Sequence, residues 1–90
     1  MTEQPFDYVG LCREMAHLSH RAAEEASRPG VSARERRLLR RQARAAEKAA
    51  GLYGRAAGCR SEREAVLLLA KALRHQKRFL DLADELVGGV

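Results

Sequence analysis

Two copies of one short helix-start motif divide this chain into three segments. Residues 32–35 (SARE) and 61–64 (SERE) both match the capping box, in which a serine hydroxyl accepts from the amide three residues later and the glutamate reaches back. A glycine-containing break precedes each box, at residues 28–30 and 58–60. Because proline disfavours helix at the residue before it and glycine permits a turn, we expect a helix to end at each break.

Within each segment, apolar residues recur every three or four positions. This spacing predicts amphipathic helices over residues 5–27, 33–57 and 62–87, with residues 1–4 as a flexible tail and residues 5–90 as a single domain. Ala, Leu, Arg and Glu dominate, and there are only two prolines, so the fold class is all-α. Short connections make neighbouring helices antiparallel, which predicts an up-down-up antiparallel three-helix bundle.

The predicted core depends on alanine, of which the chain has sixteen. Alanine buries little area, so the helices must approach one another closely to gain stability. The larger core candidates are Phe6, Tyr8, Leu11, Met15, Leu18, Leu38, Leu39, Leu52, Tyr53, Leu67, Leu68, Leu69, Leu73, Phe79, Leu80, Leu82 and Leu86.

Membrane insertion and secretion have no support in the sequence. The longest apolar run, residues 65–70, is far shorter than the roughly 20 residues of a spanning helix. The N-terminus lacks the basic and apolar regions of a secretory signal. Two cysteines, Cys12 and Cys59, are too few for a disulfide framework. We therefore expect a cytoplasmic protein with free thiols.

Residues 32–48 are strongly basic. They carry seven basic and two acidic residues, and their net charge of +5 equals that of the whole chain. Arginine can bind phosphate or carboxylate with two parallel hydrogen bonds, so this stretch predicts a surface for nucleic acid, anionic lipid or an acidic protein. The alternative is a solvated face paired with acidic residues of the first helix. The predicted anion-binding face consists of Arg34, Arg37, Arg40, Arg41, Arg44 and Lys48.

Two further patterns each have two interpretations. Gly51, Gly54 and Gly58 share one side of a helix, which suits either close packing within the chain or a groove for a partner helix. At the end of the third helix, acidic residues occupy the turns where the helix dipole favours cations, directly after a basic stretch. That arrangement is either a solvated face, or it serves complementary binding of a partner or a salt bridge to another helix. The residues concerned are Lys71, Arg74, Lys77, Arg78, Asp81, Asp84 and Glu85.

No pattern for catalysis, metal or cofactor binding is present in the sequence. It contains no Ser-His-Asp arrangement, no glycine-rich phosphate loop and no HExxH motif. Cys12, His17 and His20 do not converge on one side of a helix as zinc ligands would. A thin alanine core also leaves little room for a substrate pocket. We therefore expect a chain that is not an enzyme and binds no cofactor.

Three stretches resemble the microtubule-interacting and trafficking (MIT) family of three-helix bundles. They are residues 16–23 (AHLSHRAA), residues 52–56 (LYGRA), and residues 63–66 (REAV) with the following 73–80 (LRHQKRFL). The chain departs from the family at residues 30–35, where a Gly-x-Tyr-x-x-Ala element usually opens the second helix. The resemblance implies binding of short partner helices beside the third helix, in membrane-trafficking or autophagy assemblies. The partner groove it implies consists of Ala72, Gln76, Phe79 and Ala83.

Taken together, these patterns favour a protein–protein interaction module that binds a partner helix or peptide. The alternative is a nucleic-acid or anionic-surface binding protein that uses the arginine face of the second helix. Alanine stripes on long helices also suit dimers, so a homo-oligomer is the third hypothesis.

Overall fold

The computed structural model describes residues 7–88, which form three helices and no strand. They are α1 (Tyr8–Ala26), α2 (Ala33–Ala57) and α3 (Glu62–Gly88), so the prediction of an all-α three-helix bundle is confirmed. α2 and α3 begin at the residues that the two capping boxes predict. The predicted tail, the predicted start of the first helix at residue 5 and the core candidate Phe6 lie outside the described residues. No helix within residues 7–88 is both long and apolar enough to cross a bilayer.

At the start of each helix, a capping side chain accepts a hydrogen bond from a backbone amide that has no partner inside the helix. The Ser32 hydroxyl accepts from the Glu35 amide at 3.1 Å, and the Ser61 hydroxyl accepts from the Glu64 amide at 3.3 Å. The Asp7 carboxylate performs the same role for α1 by accepting from the Gly10 amide at 2.9 Å. Such caps typically stabilise a helix by about 1 kcal/mol each, which explains why the three boundaries are sharp.

α2 is the central helix of the bundle. α1 and α3 each pack along α2, and within residues 7–88 no Cα atoms of α1 and α3 lie within 8 Å of each other. The Ser19 hydroxyl of α1 donates to the Ala43 carbonyl at 2.8 Å, and the Gln42 amide of α2 donates to the Phe79 carbonyl at 3.4 Å. With connections of only a few residues, the helices alternate in direction. The described chain is elongated, with extents of 50 × 21 × 16 Å.

The core is built mainly from alanine, as the composition predicts. Ala46 and Ala49 of α2 have no exposed surface, and Tyr53 is the largest fully buried side chain. The Tyr53 hydroxyl donates to the Gln76 side-chain oxygen at 2.5 Å, which joins α2 to α3. The buried cluster consists of Tyr8, Met15, Ala46, Ala49, Ala50, Tyr53, Ala56, Ala65, Leu69 and Ala72.

Three residues predicted for the core are exposed. Leu67, Leu73 and Leu80 all belong to α3 and lie largely in solvent. Because α3 packs against α2 alone, only a narrow stripe of α3 can be buried. Apolar residues at the edges of that stripe are therefore left about half exposed by the rest of residues 7–88.

Replacing Gly51 with alanine is expected to stabilise the fold by about 0.5–1 kcal/mol, because glycine is a poor helix former and a Cβ at this position meets no atom within 4 Å. Gly10→Ala is the contrasting variant, because a Cβ there would overlap the Asp7 carboxylate that caps α1. Thermal denaturation of both variants checks this. Equal shifts of the two midpoints would contradict the described environments.

Candidate interaction groove between the second and third helices

The six residues of the predicted anion-binding face are all exposed. None of them makes an ion pair within residues 7–88. Glu24 and Glu25 of α1 could have neutralised the face, but each pairs instead with a residue three or four positions away in the sequence. The Glu24 carboxylate lies 2.8 Å from the His20 ring, and the Glu25 carboxylate lies 2.9 Å from Arg28. The face is therefore solvated and is not paired with acidic residues of α1, and its cations are free to meet an external anion.

Arg36 differs from the arginines around it. Its Nε donates to the Ala26 carbonyl at 3.0 Å, and its Nη2 donates to the Val31 carbonyl at 3.5 Å. Ala26 is the last residue of α1, where carbonyl groups lack partners inside the helix and a positive charge is favourable. Arg36 therefore fastens the end of α1 to the start of α2.

Replacing Arg36 with methionine, which retains much of the apolar stem, is expected to lower the free energy of unfolding by about 1–2 kcal/mol. The matched control is Arg37→Met, because Arg37 is exposed and makes no hydrogen bond or ion pair within residues 7–88. Its expected change is within about 0.5 kcal/mol. Urea denaturation of both variants checks the difference. A similar loss in both would show that Arg36 has no special structural role.

A basic hollow of about 190 Å³ lies between α2 and α3. Its α2 wall includes Arg41, Arg44 and Lys48 from the predicted anion-binding face. Its α3 wall adds Arg78, which the sequence places in the charged end of the third helix, and His75, which the sequence assigned to no site. Two helices thus bring basic side chains together at one place.

Two further hollows continue this depression along the same pair of helices. The middle one, about 340 Å³, shares Lys48 and His75 with the first and includes Gly51 and Leu52. The last one, about 420 Å³, shares Arg55 with the middle one. We call these three adjoining hollows the basic groove. The last hollow is lined by Arg55, Gly58, Cys59, Glu64, Leu67, Leu68 and Lys71.

The basic groove combines cationic walls with an apolar floor. Glu64 is the one acidic residue among its lining side chains, and its carboxylate already accepts from the Cys59 thiol at 3.9 Å. Leu52, Leu67 and Leu68 supply apolar surface, and Gly51 leaves the wall open because nothing lies within 4 Å of a Cβ built there. Such a groove can bind carboxylates at its walls and apolar side chains on its floor. Its cationic residues are Arg41, Arg44, Lys48, Arg55, Lys71 and Arg78.

The predicted partner groove of Ala72, Gln76, Phe79 and Ala83 is wrong as an open surface. Ala72 is completely buried, and Gln76 is held by the Tyr53 hydroxyl. Phe79 is half-buried and packs against the core, and Ala83 is also half-buried. These residues share the stripe of α3 that packs on α2, whereas the open surface lies to one side of that stripe.

The glycine stripe does not form one surface. Gly51 opens onto the basic groove, but a Cβ at Gly54 would lie 3.4 Å from the Cys12 sulfur of α1. Gly58 is the C-terminal cap of α2. Cys12 and Cys59 are both free, and no three His, Cys, Asp or Glu residues within the described part of the chain could together hold a metal ion.

The spacing of Lys71, His75 and Arg78 on α3 was a usable signal for the part of the site that sequence analysis missed. Four- and three-residue steps place these side chains on one line, as in the arginine face of α2. The sequence does not say which lines of side chains on α2 and α3 border each other, so the combined site could be recognised only from the structure.

In comparisons with known proteins, no family model, no curated protein and no solved structure matches this chain.

Proposed function

We propose that this chain is a non-enzymatic interaction module that binds an acidic, amphipathic helix or peptide of a partner protein in the basic groove. The observation that carries the proposal is the convergence of cations from two helices at one hollow, next to two hollows that leucine side chains line. Arg44 and Lys48 of α2 lie with Arg78 of α3 around one hollow, and none of the three has a carboxylate partner within residues 7–88. An incoming carboxylate would supply that partner.

The apolar floor favours a helix over a loosely bound polyanion. A phosphate backbone has no apolar side chains to cover Leu52, Leu67 and Leu68, whereas an amphipathic helix has an apolar stripe next to its acidic residues. From Arg41 to Gly58 the groove follows about 25 Å of α2, at 1.5 Å per residue. A partner helix of about 16 residues would fill it.

The second candidate is a nucleic-acid or anionic-surface binding function. Arg34, Arg37 and Arg40 favour it, because they are exposed on the part of α2 that extends past the basic groove. Base stacking has little support, because Tyr8 and Tyr53 are buried and Phe79 is half-buried, which leaves no fully exposed aromatic side chain within residues 7–88.

The resemblance to MIT domains is consistent with the first candidate, because it implies partner helices bound beside the third helix and α3 is one wall of the basic groove. It suggests a role in trafficking or autophagy assemblies. We further propose a cytoplasmic location, since thiols stay reduced there and both cysteines are unpaired.

Two peptides of identical composition test the proposal. Both contain about 16 residues of Glu and Leu; one places Leu at helical spacing to give an apolar stripe, and the other is scrambled. Duplex DNA of about 20 base pairs is the third probe. By fluorescence anisotropy at about 0.15 M salt, we expect the striped peptide to bind at least about tenfold more tightly than the other two. Tighter binding of DNA, or equal binding of the two peptides, would contradict the proposal.

Charge reversal locates the binding surface. The triple variant Arg44→Glu, Lys48→Glu, Arg78→Glu is expected to weaken binding of the striped peptide by at least about tenfold. The matched control reverses three exposed arginines outside the groove: Arg34, Arg37 and Arg40. Its expected effect is smaller, because none of the three lines the groove and two of them, Arg34 and Arg37, lie more than about 8 Å along α2 from Arg44, where charges are largely screened. Equal losses in both variants would favour a diffuse polyanion surface instead.

A further inference from the structure

Four apolar residues of α3 form a line of exposed side chains. Val66, Leu73, Leu80 and Val87 are 53%, 49%, 55% and 88% exposed. They are spaced by seven residues, which is two helical turns, so they follow nearly the same side of the helix. We call these four residues the apolar stripe. No other part of residues 7–88 covers it, although heptad spacing is the pattern by which two helices pack together.

The charge of α3 changes sign at Leu80, the third of the four residues of the apolar stripe. Before Leu80 the charged residues nearest to it are Lys77 and Arg78, and after it come Asp81 and Asp84. Lys77 and Asp84 lie closest to the line of the stripe, at 100° per residue, and both are exposed. Neither has an ion-pair partner within residues 7–88. Asp84 is also placed against the dipole of its own helix, which makes an external cation favourable.

We propose that a second copy of this chain docks antiparallel on the apolar stripe, with a twofold axis beside Leu80. Leu80 then packs against Leu80 of the partner subunit, and Leu73 lies opposite Val87 of the partner subunit. Lys77 precedes Leu80 by about 4.5 Å and Asp84 follows it by about 6 Å, so Lys77 lies opposite Asp84 of the partner subunit to within about 1.5 Å. The same pair occurs twice because the interface is symmetric.

A parallel pair is disfavoured by the same charges. A parallel twofold pair would put Lys77 and Lys77 of the partner subunit at the same height but on opposite flanks of the interface, so Lys77 would meet no acidic residue of the partner subunit. It would also bring the acidic ends of the two helices to the same end of the dimer, where like charges repel. The antiparallel arrangement instead lays the basic half of each α3 over the acidic half of the other, so the orientation follows from the sign change at Leu80.

The proposed dimer leaves the basic groove open. Arg78, which lines the groove, lies two residues before Leu80 and therefore about 160° around α3 from the stripe. Only three stripe residues overlap in each copy, so the interface is smaller than the roughly 1,200–2,000 Å² of stable complexes. We expect a weak dimer whose formation depends on protein and salt concentration.

Sedimentation velocity from about 10 μM to about 1 mM tests the proposal, and we expect the mass to rise towards that of a dimer. Leu80→Ser should abolish this rise, because Leu80 contacts its own copy at the axis. Val66→Ser is the matched control, since Val66 belongs to the same stripe and is equally exposed but lies beyond the overlap. A monomer at about 1 mM, or equal losses in the two variants, would overturn the proposal.

A charge swap tests the orientation. Lys77→Asp and Asp84→Lys are each expected to weaken the dimer by at least about tenfold, because each replaces two attractive pairs with two repulsive ones. The double variant restores both pairs and should recover association to within about threefold of the unmodified chain. Absence of recovery would overturn the antiparallel arrangement. Binding of the striped peptide to the Leu80→Ser variant, which should be unchanged, separates failure of the dimer from failure of the groove.

Discussion

Replacing Tyr53 with alanine is expected to destabilise the protein by about 3–5 kcal/mol, a large part of the total stability of a domain of this size. Tyr53 is 1% exposed, and its ring packs in a cluster to which all three helices contribute. The alanines around it, such as Ala49 and Ala72, are too small to refill the cavity. The variant would also leave the Gln76 side-chain oxygen without its donor. Urea denaturation monitored by circular dichroism measures the loss, and a variant as stable as the unmodified chain would contradict the described core.

The Tyr53→Phe variant measures how much the hydroxyl contributes to stability apart from the ring. It keeps the packing and removes the hydrogen bond to Gln76, so we expect a loss of about 1 kcal/mol. Burial, with a smaller contribution from Glu14, raises the pKa of Tyr53 above 10.0. The folded state therefore holds the hydroxyl proton of Tyr53 more tightly than the unfolded state does. The protonated hydroxyl contributes fully to stability below about pH 10, the pKa in the unfolded state, and this contribution is lost as the pH rises through the higher pKa of the folded state. Stability of the phenylalanine variant should therefore fall less between about pH 8 and pH 11.

Replacing Ala72 with leucine is the second large expected effect. Ala72 is 0% exposed where α3 packs on α2, so three added carbon atoms would force the two helices apart. We expect a loss of about 1–3 kcal/mol. Ala70→Leu is the matched control, because Ala70 is exposed on the same helix and should change stability by less than about 0.5 kcal/mol. A neutral Ala72→Leu would mean that this position borders an open groove, as the resemblance to MIT domains implied.

Local signals in the sequence were sufficient to predict where the second and third helices begin. Ser32 and Ser61 cap α2 and α3 as predicted, because these hydrogen bonds join residues three apart and depend on no distant part of the chain. The reciprocal bonds from the Glu35 and Glu64 side chains to the serine amides are not formed within residues 7–88, and the Glu64 carboxylate instead accepts from the Cys59 thiol.

The alanine-rich core was also predictable, since close approach of helices requires small residues. The central position of α2 was not predictable in this way: Ala45 with Ala46 and Ala49 with Ala50 are buried on α2, but the similar pair Ala22 and Ala23 lies on α1 with Ala23 exposed. Consecutive residues are 100° apart, so burying both needs a neighbour on each side.

The candidate site was only half predictable. Arg41, Arg44 and Lys48 stand out in the sequence because many like charges on one side of a helix are unusual. Their partners His75 and Arg78 come from another helix, and only the packing of α3 on α2 brings the two sets together.

The sequence alone also does not indicate which apolar residues of α3 are buried and which are exposed. Leu69 and Leu73 obey the same helical spacing, yet Leu69 is buried against α2 and Leu73 is exposed. Periodicity identifies an apolar side of a helix, but the surface that covers it can belong to the same chain or to another molecule.

Mapping the footprint of the striped Glu/Leu peptide on the chain tests the central claim most directly. In a titration of ¹⁵N-labelled protein, we expect amide shift changes along α2 from Arg41 to Gly58 and along α3 from Glu64 to Arg78, which are the two walls of the basic groove. Amides of α1 should remain unchanged, because α1 contributes no residue to the groove. Changes concentrated in α1, or spread evenly over all exposed arginines, would contradict the existence of a defined binding groove between α2 and α3.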